Sequence, residues 1–149
     1  MNNLARFIVK AKRNTYASGK PPKKLEDGFE EFEYAEGDYS YRDRYYARDP
    51  NPFGGQEVVW KDKKPIWIMN YYGFVISEKI PNKEIYPFLR KAMSLVNEKT
   101  PFRGPTTLKE GKFKYVNNVS GNVNKFKGTE KILFNGKEVY QLDYHGGTL

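Results

Sequence analysis

Eight polar side chains have types and spacings suited to chemistry: Glu57, Asn70, Tyr72, Glu130, Asp143, His145, Arg42 and Arg103. Six of them form pairs at one interval, since Glu57/Glu130, Asn70/Asp143 and Tyr72/His145 each lie 73 residues apart. Two carboxylates can divide acid and base roles when their environments separate their pKa values. They can equally bind a cationic ligand, or pair with arginine for structure alone. His145 is the single histidine, and imidazole titrates near neutrality, which suits a general base. Asp143 shares its strand face at i, i+2, but Tyr72 stands in the matching place of the other stretch, so the position does not demand imidazole. Arg42 in "YRDRYY" and Arg103 in "PFRGP" can grip a phosphate or carboxylate; the plainer readings are a salt bridge to a nearby acidic block and a simple turn. One histidine and no cysteine give a metal site little support. No phosphate loop, dinucleotide fingerprint, zinc motif or kinase motif is present. No cofactor or metal is expected, and no catalytic residue is assigned.

The elements that must position these residues read as a repeat. Leu4, Phe7, Ile8 and Ala11 have the i, i+3, i+4, i+7 spacing of one helical face, and so do Ile85, Phe88, Leu89 and Ala92. "EVVWKDKKPIWIMNYY" and "EKILFNGKEVYQLDYH" each read as a hairpin, the second around the strong turn signal Asn135-Gly136. Residues 55–76 lie over 128–149 without a gap, and "EGDYSY" lies over "EGKFKY". The expected fold is α+β: a duplicated helix–strand–strand–strand unit with pseudo-two-fold symmetry. It has about six antiparallel strands, with two helices packed on one side. The 149 residues then form a single domain of two repeats, about 1–76 and 77–149. A more curled sheet wrapping a helix is the alternative.

Period 2 assigns the faces. A two-residue turn pairs Phe134 with Lys137 and Ile132 with Val139. Val58, Trp60, Trp67, Met69 and Tyr71, with Leu133, Tyr140, Leu142 and Tyr144, then make a core under the helices. Glu57, Asn70 and Tyr72, with Glu130, Asp143 and His145, fall on the other face over an aliphatic floor. That lining resembles a binding cleft; a covered structural face or a dimer surface are the other readings.

Composition bounds the function. The net charge of +8 raises nucleic acid as a partner, but the distribution tempers it. Residues 1–24 carry seven Lys/Arg and no acid, whereas 26–38 carry seven acids and no base. No apolar run is long enough to span a membrane. No secretory signal is read at the start and there is no cysteine, so a cytoplasmic location is expected, as monomer or homodimer.

The landmarks "FIVKAKRNTYA", "YRDRYY", "NPFGGQEVVW", "PIWIMNYYG", "PFRGP" and "YHGG" resemble an uncharacterised bacterial domain-of-unknown-function family. That family is found stand-alone or fused behind XRE-type helix-turn-helix domains. The resemblance implies a ligand-sensing or protein-interaction domain and supplies no catalytic residues. The functional expectation is a small-molecule-binding domain of effector-sensing type. The alternatives are a small hydrolase or isomerase using a Glu/His or Glu/Glu pair, and a nucleic-acid or partner-binding module using the basic N-terminus.

Overall fold

The structure is a computed structural model and describes residues 3–48, 51–76 and 80–149. Helix α1 (Asn3–Asn14) leads through a single 3-10 turn, Tyr16–Ser18, into β1 (Lys23–Lys24), β2 (Glu30–Glu36), β3 (Tyr39–Ala47), β4 (Phe53–Lys61) and β5 (Lys64–Val75). Helix α2 (Asn82–Ser94) precedes β6 (Thr107–Glu110), β7 (Phe113–Asn122), β8 (Lys125–Phe134) and β9 (Lys137–Thr148). The strands form one antiparallel sheet in the order β1-β2-β3-β4-β5-β9-β8-β7-β6.

This corrects the expected architecture. Among the described residues there are nine strands, not about six, with five after α1 and four after α2. A helix–strand–strand–strand unit used twice does not generate that sheet, and residue 77, where the second copy was to begin, lies outside the described residues. The reason is visible in β2. Its run of acids masks the strand signal, but Glu31 and Glu33 alternate with Phe32 and Tyr34, and Phe32 is buried against Tyr16. Strand β6 is four residues long and carries no alternating apolar signal.

Both helices lie on one face of the sheet, as their apolar spacing requires. Phe7 of α1 stacks on Tyr39 at 5.0 Å, and Phe88 of α2 stacks on Phe113 at 5.1 Å. Beneath them Trp67, Met69, Tyr71, Tyr140, Leu142 and Tyr144 join the helical side chains in one apolar cluster.

One bulge in each hairpin decides which side chains join that cluster. Phe134 does pair with Lys137, but the register then shifts and Ile132 pairs with Tyr140, leaving Val139 as the extra residue. In the first hairpin the shift falls between Val59 and Trp60, so Val59 pairs with Trp67 and Glu57 with Met69. An extra residue on one strand inverts the face alternation beyond it. Glu57, Val59, Glu130 and Ile132 therefore point toward the helices, where an uninterrupted register had placed Val58, Trp60 and Leu133.

Two glycines let tyrosines lie flat across the sheet. Tyr71 pairs with Gly55 and donates its hydroxyl across β4 to Asp43 on β3 at 2.6 Å. Tyr144 pairs with Gly128 and crosses β8 to reach Asn117 Oδ1 on β7 at 2.8 Å. A Cβ on Gly128 would come within 2.2 Å of the Tyr144 ring. Gly128→Ala is therefore expected to displace that ring and to cost about 1–3 kcal/mol, the usual range for overpacking. Urea unfolding measures it, and an unchanged midpoint would refute the steric account.

Candidate functional site

Between the helices and the sheet lies a cavity of about 290 Å³. The end of α1 and the turn after it contribute Lys12, Thr15, Tyr16 and Ala17; α2 contributes Tyr86, Leu89, Arg90 and Met93. The sheet supplies Tyr41, Asp43, Tyr45, Phe53, Glu57 and Tyr71, and Arg103 also lines the space. The sequence places these side chains by simple rules. Lys12 follows Ile8 by four residues and so shares the buried face of α1. Tyr41, Asp43 and Tyr45 alternate along β3 and share its helix-facing side.

Four carboxylates stand in or beside this cavity; Glu30 accepts the Tyr45 hydroxyl, and the three deeper ones are each held differently. Glu57 forms a buried ion pair with Lys12 and accepts the Tyr41 hydroxyl. Burial pulls the Lys12 ammonium down in pKa, with the Glu57 charge opposing that shift. Glu130 is fully buried and accepts four hydrogen bonds. They come from Arg103 Nη2 at 2.6 Å and Nε at 3.1 Å, and from the hydroxyls of Tyr115 at 2.6 Å and Tyr140 at 2.8 Å. Burial pulls down the pKa of Arg103, but the Glu130 charge and hydrogen bonds, with Tyr140 and Tyr115, together outweigh it and the guanidinium stays protonated. The Tyr115 and Tyr140 phenols are pushed up by burial and by Glu130, so they remain donors.

Asp43 is the exception. Its Oδ1 accepts the Tyr71 hydroxyl, yet among the described residues no cation forms an ion pair with it. Burial, and then the Glu57 charge, push its carboxyl up to about 7. Its group therefore changes charge near neutral pH while lining a cavity.

The expected site residues divide between two faces. Asn70, Tyr72, Asp143 and His145 come together on the face away from the helices, in an open groove that also includes Ser120, Lys127 and Thr129. There Gln56 donates to Asn70 Oδ1 at 2.9 Å, and the Thr129 hydroxyl donates to Asp143 Oδ1 at 2.7 Å. Glu57 and Glu130 lie on the opposite side of the sheet, so no Glu/His pair is assembled. Arg42 lies along the open face with its guanidinium 5.0 Å from the Trp60 ring. Arg103 is carried inward by its loop, where Phe102 stacks on Phe126 at 3.8 Å, and it meets Glu130 rather than solvent.

Sequence reasoning missed Lys12, Asp43 and the wall of Tyr16, Tyr45, Phe53 and Tyr86. The signals were present: a lysine at the i+4 position of an apolar face, and an aspartate between two tyrosines of one strand face.

The basic N-terminal helix is largely committed to contacts within the fold. Lys10 pairs with Glu36 at 2.6 Å, Arg6 lies 3.7 Å from Glu98, and Arg13 donates to the Val96 carbonyl at 2.7 Å. The acidic block answers basic partners on its own side, with Arg44 on Glu31 at 2.8 Å and Lys61 near Asp38 at 3.8 Å. No helix among the described residues is long and apolar enough to cross a membrane.

The fold and cavity define a class: an open antiparallel sheet with two helices on one face, enclosing a charged and aromatic chamber. A family model, the domain of unknown function DUF5680, matches residues 43–149, and the chain belongs to that family. The matched segment begins at Asp43, so α1, with Lys12, lies before it. Comparison with curated proteins and with solved structures finds no match to either.

Proposed function

We propose that this domain binds a small molecule in the chamber between the helices and the sheet. The observation that carries the reading is the chamber itself: a cavity of about 290 Å³ with mostly aromatic and aliphatic walls that reaches a carboxyl outside any ion pair. Ligand sites are concave, mostly apolar and furnished with a few polar groups that fix orientation. The groove on the far face has the polar groups but lies open on a sheet surface, and Tyr72 there is 56% exposed. A small ligand would bury little of itself on such a surface. A ligand-sensing role accords with the resemblance noted in the sequence.

Two natural reporters separate the sites. Met93 lines the chamber and His145, the single histidine, lines the groove. In an NMR screen of a metabolite library, with methionine methyls carbon-labelled, binders are expected to shift Met93 and leave His145 in place. Binders that move only His145, or a library with none that moves Met93, would count against the chamber.

A further inference from the structure

We infer that the chamber is built to take a small organic cation, an ammonium or amidinium group carried on a compact apolar body, with Asp43 as its counter-ion. This inference rests on the binding reading above and specifies the ligand's chemistry.

The first argument is charge. Lys12 is matched by Glu57 and Arg103 by Glu130. With buried Glu31 matched by Arg44, that leaves Asp43, 5% exposed, as the buried charged group outside an ion pair among the described residues; the Lys12 and Arg103 charges act on it only from beyond ion-pair distance. Leaving a carboxylate unpaired at a buried position is costly, and an incoming cation removes that cost by forming a charge-assisted hydrogen bond or ion pair.

The second argument is the wall. Tyr16, Tyr45, Phe53, Tyr71 and Tyr86 surround the same space; Arg90 and Arg103 already lie over the Tyr16 and Tyr71 rings, at 5.5 and 5.6 Å, which leaves Tyr45, Phe53 and Tyr86 for an incoming cation. Ring faces attract a cation through their quadrupole, most strongly where water is excluded. Their hydroxyls do not supply negative charge: burial raises the pKa of Tyr16, Tyr45, Tyr71 and Tyr86, the last to about 12.

The third argument is that the remaining charges do not offer an anion site. The Arg103 charge is matched by Glu130, which its Nε and Nη2 contact. Arg90, from α2, is exposed and lies 5.5 Å from the Tyr16 ring, while Glu30, from β2, takes the Tyr45 hydroxyl; the two balance one another in sign.

Binding should then be linked to protons. Asp43 must be ionised to serve, and its carboxyl is pushed up to about 7 by burial and by Glu57. The groups around it are Lys12 from α1, Tyr16 from the following turn, Tyr41 and Tyr45 from β3, Glu57 from β4, Tyr71 from β5 and Arg103 from the loop before β6. Affinity for a cation is expected to rise about tenfold between pH 6 and pH 8, with a proton released on binding.

The test uses three compounds of similar size: benzyltrimethylammonium, benzyl alcohol and phenylacetate. Each is titrated by calorimetry at pH 6 and pH 8, with the Met93 methyl as the positional reporter. The expected result is that the ammonium compound binds at least tenfold more tightly than the other two at pH 8 and shifts Met93. Asp43→Asn should remove that preference and the pH dependence together, while Asp143→Asn, on the far face, should change neither. Asn can still accept the Tyr71 hydroxyl, and its thermal melt verifies that the variant is folded. Tighter binding of the alcohol or the carboxylate at Met93 would overturn the cation assignment and leave a binding chamber standing. A pH dependence that survives Asp43→Asn would move the proton to Lys12 or Glu57 and overturn the role of Asp43. Silence from all three compounds would overturn the inference too, and the library screen then decides the broader reading by itself.

Discussion

Glu130→Ala is expected to cost about 3–5 kcal/mol, the range seen when one partner of a buried ion pair is removed. The carboxylate is fully buried and is the shared acceptor for Arg103, Tyr115 and Tyr140. Its loss leaves a guanidinium and two phenols in the core with no acceptor, and an orphaned buried polar group costs its full desolvation. A typical domain is stable by only about 5–15 kcal/mol, so this one change removes a large share. Arg103→Met should cost less, because Glu130 keeps both phenol donors. The double variant should cost less than the two singles added together, since the sites are in contact and share partners. Urea unfolding of the four proteins measures the cycle. A loss below about 1 kcal/mol for Glu130→Ala would show that the cluster is an ornament of the core rather than one of its supports.

Asp43→Asn should act in the opposite direction, and only above a certain pH. In an unfolded chain the carboxyl titrates near ~3.9. In the folded protein burial, and then the Glu57 charge, push it up to about 7. The folded state therefore holds the proton more tightly between those values. What Asp43 contributes to stability is fully present below the unfolded value and is lost as pH rises through the folded one. Each pH unit in that window costs up to about 1.4 kcal/mol. Asparagine cannot ionise, so the variant should gain on the wild type from pH 4 to pH 7 and hold its lead above that. The lead is bounded by up to about 4 kcal/mol at pH 8. Urea unfolding at pH 5, 6.5 and 8 follows it. A difference that does not change with pH would mean that Asp43 ionises in the folded protein as easily as in the unfolded chain. This test needs no ligand, so it stands apart from the question of what the chamber binds.

Much of this was legible in the chain. Helices at Asn3–Asn14 and Asn82–Ser94 follow from apolar spacing, a local property that needs no partner to be read. The turn at Asn135-Gly136 follows from residues that accept positive φ; both have it, at 49° and 78°. The inward set of Trp67, Met69, Tyr71, Tyr140, Leu142 and Tyr144 follows from period 2 on the far side of the bulges. What misled the face assignment was one extra residue per hairpin, Ile66 in the first and Val139 in the second. Both are apolar and β-branched, so an alternating pattern conceals them. Once skipped, each sends a glutamate to the wrong side of the sheet, and with it the expected pairing of Glu57 and Glu130 with Asn70, Tyr72, Asp143 and His145.

The sequence by itself determined the two helices, two hairpins and the inward tyrosines, because those depend on spacing along the chain. Only the tertiary structure decided where charge is buried. Lys12 meets Glu57 across 45 residues and Arg103 meets Glu130 across 27, and neither contact leaves a local trace. The balance among those pairs, which leaves Asp43 outside an ion pair in an aromatic chamber, exists only once the sheet lies beneath both helices.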